Sequence, residues 1–174
     1  MVHLRKGCAY RRLERAYTRV SKFRELSYIR ANPAKKVVRY DMGDISKSYE
    51  YQIDLLSDRD VQIRDNALES ARQTANRLLE KNIGQGQYYF KIRVYPHHIL
   101  RENPLASGAG ADRLSTGMKM SFGKPIGSAA QVREKQKILT VKVNKAHIEA
   151  AKKALHRASS KLPISHRIEI AKIK

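Results

Sequence analysis

Residues 88–101 read YYFKIRVYPHHILR. Phe90, Ile92 and Val94 alternate with Lys91 and Arg93, which is the period of a strand with one apolar and one charged face. Pro96 closes this strand, and His97–Arg101 resumes as an edge strand. Working back toward the N-terminus, Gly86 and Gly84 make a turn, and before it Leu68, Ala71, Ala75, Leu78 and Leu79 form one apolar stripe at helical spacing. That spacing predicts a helix starting at Ser57, with Asp58 and Asp60 in its first turn, where the helix dipole favours anions. The helix ends near Asn82. Further back, Tyr49–Leu56 alternates as a half-buried strand, and Val37–Tyr40 is a short strand closed by Asp41-Met42-Gly43.

Toward the C-terminus the same logic holds. Residues 130–143 read as two strands, with Val132 in the first and Ile138, Leu139, Val141 and Val143 in the second. Lys145 starts a second helix, in which Ile148, Ala151, Leu155, Ala158 and Leu162 share one face. Pro163 stops it. Ile164–Ile170 ends the pattern as a strand, with Ile168 and Ile170 inward and Arg167 and Glu169 outward. The order β-β-α-β-β-loop-β-β-α-β predicts an α+β fold, with two helices packed on a mixed, mostly antiparallel sheet. Residues 1–36 form a basic arm ahead of it, closed by the turn signal Asn32-Pro33. Residues 37–174 form a single domain that carries a long glycine-rich loop at 102–128.

Charge narrows the function. The 174 residues hold 36 Lys and Arg against 16 Asp and Glu, a net charge of +20. Self-repulsion on that scale is relieved by a polyanion: nucleic acid first, an anionic membrane surface second. Arg5, Lys6, Arg11, Arg12, Arg15, Arg19, Lys22, Arg24, Arg30, Lys35 and Lys36 crowd the arm, with Tyr10, Tyr17, Phe23 and Tyr28 between them. Arginine on phosphates and tyrosine on bases would order such a segment against RNA. Arg93 on the strand, and Lys152, Lys153 and Arg157 on the second helix, extend the phosphate-facing set.

Catalytic patterns fail one by one. Residues 117–125, GMKMSFGKP, place five residues between the glycines and a proline after the lysine, so this is not a phosphate-binding P-loop. Gly108-Ala-Gly110 lacks the third glycine of a dinucleotide fingerprint, where Arg113 stands. His97 and His98 are adjacent on a strand and point to opposite faces, so a shared metal is not expected. One cysteine, Cys8, excludes an internal disulfide and a cysteine-based zinc cluster. Neither a catalytic site nor a cofactor is expected, no apolar run reaches the ~20 residues of a membrane span, and the cytoplasm is the expected location. An RNA-modifying enzyme and a general polyanion or membrane-surface binder share the charge and remain alternatives at this level.

The glycine-rich loop is the remaining feature. Five of nine glycines fall between 102 and 128. Glycine lets main chain approach a ligand closely, and its N–H groups can reach phosphate oxygens. Arg113, Lys119 and Lys124 add charge, while Leu114, Met118, Met120 and Phe122 can wedge against bases. The run from Ala111 to Gly127, ADRLSTGMKMSFGKPIG, closely resembles the signature of the archaeal and eukaryotic "ten-e" family of large-subunit ribosomal proteins, counterpart of bacterial large-subunit protein sixteen. The resemblance extends to the arm, to residues 37–43, to Ala67–Arg72, to Phe90–His98 and to the final helix. The chain departs from the family at Lys119, usually arginine, and at Gln131, usually basic or aliphatic.

The resemblance implies an α/β hammerhead-type fold and a structural, non-catalytic role. It implies binding to 23S-type rRNA between the central protuberance and the peptidyl-transferase region. The 5S rRNA region, tRNA acceptor ends and neighbouring ribosomal proteins would be further partners, without a membrane or a homo-oligomer. It places near tRNA the residues Arg101, Gly108, Gly110, Asp112, Arg113, Gly117, Lys119, Phe122, Gly123, Lys124 and Gly127.

Overall fold

A computed structural model describes residues 5–18, 21–26 and 28–173. Its strands are β1 (Asp41–Gly43), β2 (Tyr51–Ser57), β3 (Val61–Arg64), β4 (Tyr89–Ile92), β5 (His98–Glu102), β6 (Lys124–Val132), β7 (Lys137–Val143) and β8 (His166–Lys172). The helices are α1 (Asp65–Asn82), α2 (Ala111–Leu114) and α3 (Ile148–Ser159), with short 3-10 turns between elements. The fold is α+β. In place of one sheet there are two, ordered β1-β4-β7-β2-β8 and β3-β6-β5, and the strand pairs within them are antiparallel.

The stretch 88–101 explains the division. Residues from Phe90 to Val94 alternate inward and outward as expected, with Phe90 fully buried. Pro96 interrupts pairing, and the chain then enters the other sheet at His98. α3 lies on the five-stranded sheet; α1 lies beside α3 and reaches the three-stranded sheet. One continuous core joins them, with Leu68, Ala71, Ala75 and Leu79 of α1 against Ala151, Leu155 and Ala158 of α3. Small residues on the facing stripes let the two helix backbones approach closely.

Four expectations need correction. The first helix begins at Asp65, not Ser57, and residues 61–64 form β3. Asp58 and Asp60 therefore sit in a strand connection, where Asp58 pairs with Arg167 and Asp60 with Arg133. At the front edge the strand is Asp41–Gly43, the segment read as a closing turn; Tyr40 contributes its carbonyl to the Ile92 N–H. Gly43 takes φ +83°, and a Cβ there would lie 2.0 Å from the Tyr88 carbonyl oxygen, so only glycine lets β1 close on β4. Finally, Ile170 is 43% exposed because β8 is an edge strand with only β2 beside it.

Candidate nucleic-acid interface

The glycine-rich stretch is the tip of a hairpin. β5 and β6 pair from His98 opposite Ala129 to Glu102 opposite Lys124, so Lys124–Ser128 are strand. The connection is 103–123, and it contains α2 and a 3-10 turn at Gly117–Met120. Pro125 lacks an N–H to donate and sits at a register shift, where Leu100 faces Gly127 and Arg101 faces Pro125. Gly123 closes the base: at φ +82° its Cα packs against the backbone of Glu102, where a Cβ would meet main-chain atoms at 2.8–3.0 Å. Its glycine is explained by this closure. Gly108, Gly110 and Gly117 lie nearer the tip with no close packing that a Cβ would break.

Leu114, Met118, Met120 and Phe122 project from the connection, between 49% and 81% exposed. Arg113, Lys119, Lys124 and Asp112 are also exposed. Large apolar side chains left in water beside cations mark an interaction surface.

The described residues of the arm from Arg5 to Tyr17 lie along the three-stranded sheet, bound largely through their own main chain. Gln62 of β3 donates its backbone N–H to the Arg11 carbonyl (3.0 Å) and its side-chain amide to the Tyr10 carbonyl (2.9 Å). Gln131 of β6 donates to the Glu14 carbonyl (2.6 Å), and Arg64 donates to the Arg5 carbonyl (2.6 Å) while stacking on Tyr10. Because carbonyls make these bonds, the side chains of Arg5, Lys6, Arg11, Arg12, Arg15 and Lys22 stay exposed. Arg30 and Lys36 are exposed as well, and Lys35 donates to Asn32. Arg19 and the Arg24 side chain lie outside the described residues.

Arm and hairpin meet at Arg101. Its guanidinium carbon lies 4.4 Å from the Tyr17 ring centroid and 3.6 Å from that of Phe122, and it donates to the Phe122 carbonyl (3.0 Å). Tyr17 and Phe122 contact edge to face at 5.4 Å. Just beneath, buried His98 accepts the Tyr17 backbone N–H at Nδ1 (2.6 Å). Burial pushes the His98 imidazole below its usual range; Glu14 opposes the shift and Arg101 reinforces it. A neutral ring is what the bond requires, since a protonated Nδ1 could not accept. His97 points the other way and is exposed, as strand alternation demands.

The remaining cations are distributed differently. On α3, Lys152 is paired with Glu149 (3.0 Å), whereas Lys153 and Arg157 are exposed beside it. Arg93, one residue past the end of β4, is exposed and follows the five-stranded sheet rather than the sheet that carries the hairpin. The structure thus brings Arg101, the arm and the hairpin together, and leaves the α3 cations on a separate face.

Sequence reasoning missed Gln62, Gln131, Arg64 and His98 as the residues that dock the arm. Glutamine amides and a buried histidine carry no sequence signal for binding main-chain carbonyls and amides. Gln131, one of the departures from the family pattern, contacts the arm of its own chain. Among the described residues, no group of three His, Cys, Asp or Glu side chains is placed to hold a metal, and no helix is long and apolar enough to cross a membrane.

Fold and surface define a basic α+β protein with a docked cationic arm and a projecting hairpin. A family model described as "Ribosomal protein L16p/L10e" matches residues 14–169, so the match takes in most of the arm, both sheets and the hairpin. The chain is 48% identical to the large ribosomal subunit protein uL16 of Methanococcus maripaludis, over 98% of this chain and 96% of that one. It is 46% identical to the protein of the same name from Staphylothermus marinus, over 92% and 93%. The chain belongs to the L16p/L10e family of ribosomal proteins.

Proposed function

We infer that this chain is a structural protein of the large ribosomal subunit that binds 23S-type rRNA and performs no catalysis of its own. The observation that carries the reading is the likeness to uL16 proteins across nearly the whole of both chains. The exposed arm cations from Arg5 to Lys36, together with Arg93, Lys152, Lys153 and Arg157, contact phosphates. Docking the arm's main chain on β3 and β6 holds its arginines in place before RNA arrives, which lowers the ordering cost of binding. The hairpin connection, with Arg113, Lys119, Lys124 and Phe122 exposed, extends toward tRNA acceptor ends. Neighbouring ribosomal proteins and the 5S rRNA region are further partners, and the assembly is cytoplasmic.

The test is affinity for large-subunit rRNA as a function of salt. Six to ten phosphate contacts predict a fall of about 10³–10⁵-fold between roughly 50 and 200 mM salt. A flat response contradicts the reading, as does equal affinity for a random-sequence RNA of the same length.

A further inference from the structure

Where the arm folds back beside Pro96, a cleft of about 470 Å³ opens at the surface. Tyr28 and Asn32 of the arm form one side of it, with Lys35; Tyr95 and His97, beyond the end of β4, form the other. Thr18, Ile29 and Ile99 also line it, and Ile99 is buried. Tyr28 is 50% exposed and Tyr95 43% exposed. Neither ring fills the core, and both keep aromatic surface open to an occupant of the cleft.

The cleft is also stiff. Tyr95 stacks on Tyr40 (ring centroids 5.5 Å apart, planes 27° apart) and abuts His97 at 4.6 Å. The Tyr40 hydroxyl is enclosed, with no hydrogen-bond partner among the described residues, and burial pushes its pKa up to about 12. Tyr95 therefore presents a backed aromatic surface.

The polar groups are hydroxyls of Thr18, Tyr28 and Tyr95, the His97 ring, the Asn32 amide and one cation. The Lys35 ammonium lies 5.6 Å from the Tyr95 centroid and donates to Asn32 Oδ1 at 3.3 Å. Asn32 also carries two amide hydrogens as donors. Among the described residues, no carboxylate lines the cleft. Aromatic faces, amide donors and one cation suit a flat, acceptor-rich ring tethered to a phosphate. An acidic peptide would use the cation and leave the rings idle; an apolar one would leave the Lys35 charge without a counter-ion.

We propose that the cleft between Tyr28 and Tyr95 is a binding site for a single unpaired ribonucleotide, its base stacked on the tyrosines and its phosphate on Lys35. This rests on the rRNA-binding reading above and adds a base-stacking site to a surface otherwise built for phosphates. Base stacking on aromatic side chains is tolerant of sequence, so the site selects an unstacked base rather than a particular one.

The test uses the full chain at one fixed salt concentration, with a fluorescent adenylate octamer as probe and inorganic polyphosphate as competitor. Tyr28→Ala should weaken octamer binding roughly 5- to 150-fold, the effect of losing one stacked base, and leave polyphosphate binding unchanged. Tyr28→Phe should retain octamer affinity to within about twofold. Tyr28 lies in the arm outside the core, and matched thermal melts of the two variants check that the fold survives. Equal octamer affinity for wild type and Tyr28→Ala overturns the proposal. So does an equal loss of polyphosphate binding, which would make Tyr28 a mere support for charge. If the wild type binds polyphosphate but not the octamer, the base site falls while the electrostatic reading stands. If it binds neither, the rRNA reading falls and takes this proposal with it.

Discussion

Replacing Arg101 with alanine should free the hairpin connection and the arm together while sparing the core. Arg101 is held by two aromatic rings, at 4.4 Å from Tyr17 and 3.6 Å from Phe122, and donates to the Phe122 carbonyl. Cation–π contacts at partly exposed sites contribute roughly 0.5–1 kcal/mol each, and the hydrogen bond adds about 1 kcal/mol. Together they predict about 2–3 kcal/mol of local opening free energy. Amide hydrogen exchange reads that quantity directly, as roughly 30- to 150-fold faster exchange at the amides the clasp protects. Those amides are Ser121 and Gly123, bonded back to Met118 and Met120, and Tyr17, bonded to His98. Arg101→Lys keeps the charge but loses the planar stack, and should fall nearer alanine than wild type. Tyr17→Leu should loosen the same amides through the other partner. The reasoning is refuted if exchange at 117–123 is unchanged in Arg101→Ala, or if β2 and β7 accelerate equally, which would mean global destabilisation.

Gly43→Ala should destabilise the protein by at least about 2 kcal/mol, because the left-handed backbone alone costs an L-residue about 1–2 kcal/mol and the Cβ would strike the Tyr88 carbonyl. Thermal denaturation should show Tm lowered by roughly 4–8 °C; an unchanged Tm contradicts the close approach. For His98 the folded-state pKa is depressed, so the unfolded chain takes its proton first as pH falls. Its effect on stability is nil above about pH 6.5, grows as pH drops toward the folded-state value, and is complete below it. Because Nδ1 accepts from Tyr17, exchange protection of the arm should fall over the same window, and protection at Tyr17 that stays flat as pH drops from about 6.5 until the fold itself melts argues against it. Arg113→Ala should leave the melting curve intact, since the side chain is exposed in the connection. It should weaken tRNA binding by the large subunit or slow subunit maturation; matched polysome profiles and tRNA affinities would defeat that role.

Periodicity made α3 legible because it has one face in the core and one outside it; β2, β4 and β7 were legible from their apolar residues, although β2 and β7 are buried on both faces from Ile53 to Ser57 and from Ile138 to Val141. It failed at β3. Val61 and Ile63 are buried against the core, but Gln62 between them is also only 3% exposed, because the arm covers it. A four-residue strand covered on both faces carries too little alternation to compete with the aspartates at 58 and 60, which resemble a helix start. It failed again at Lys124–Ser128, where local glycine and proline density signals a loop. Pairing with β5 decides otherwise, and strand partners are not local information. The cationic character of the arm and connection was plain from composition. Their linkage through Arg101, Tyr17 and Phe122 was not, since these residues come from three separate segments. Nor was the docking of the arm, which depends on carbonyl groups that every sequence has.

The central claim is that the arm and the hairpin connection both face RNA in the large subunit. Cys8 is the sole cysteine and is exposed on the arm, so a tethered iron chelate there can cut nearby RNA by hydroxyl radicals. A second probe moves the thiol to the connection, as Cys8→Ser with Ser107→Cys. After incorporation into large subunits, the account predicts confined cleavage of the large-subunit rRNA from each position, at two separate sets of nucleotides. Failure to incorporate, or an absence of cleavage above background from both positions, would contradict it.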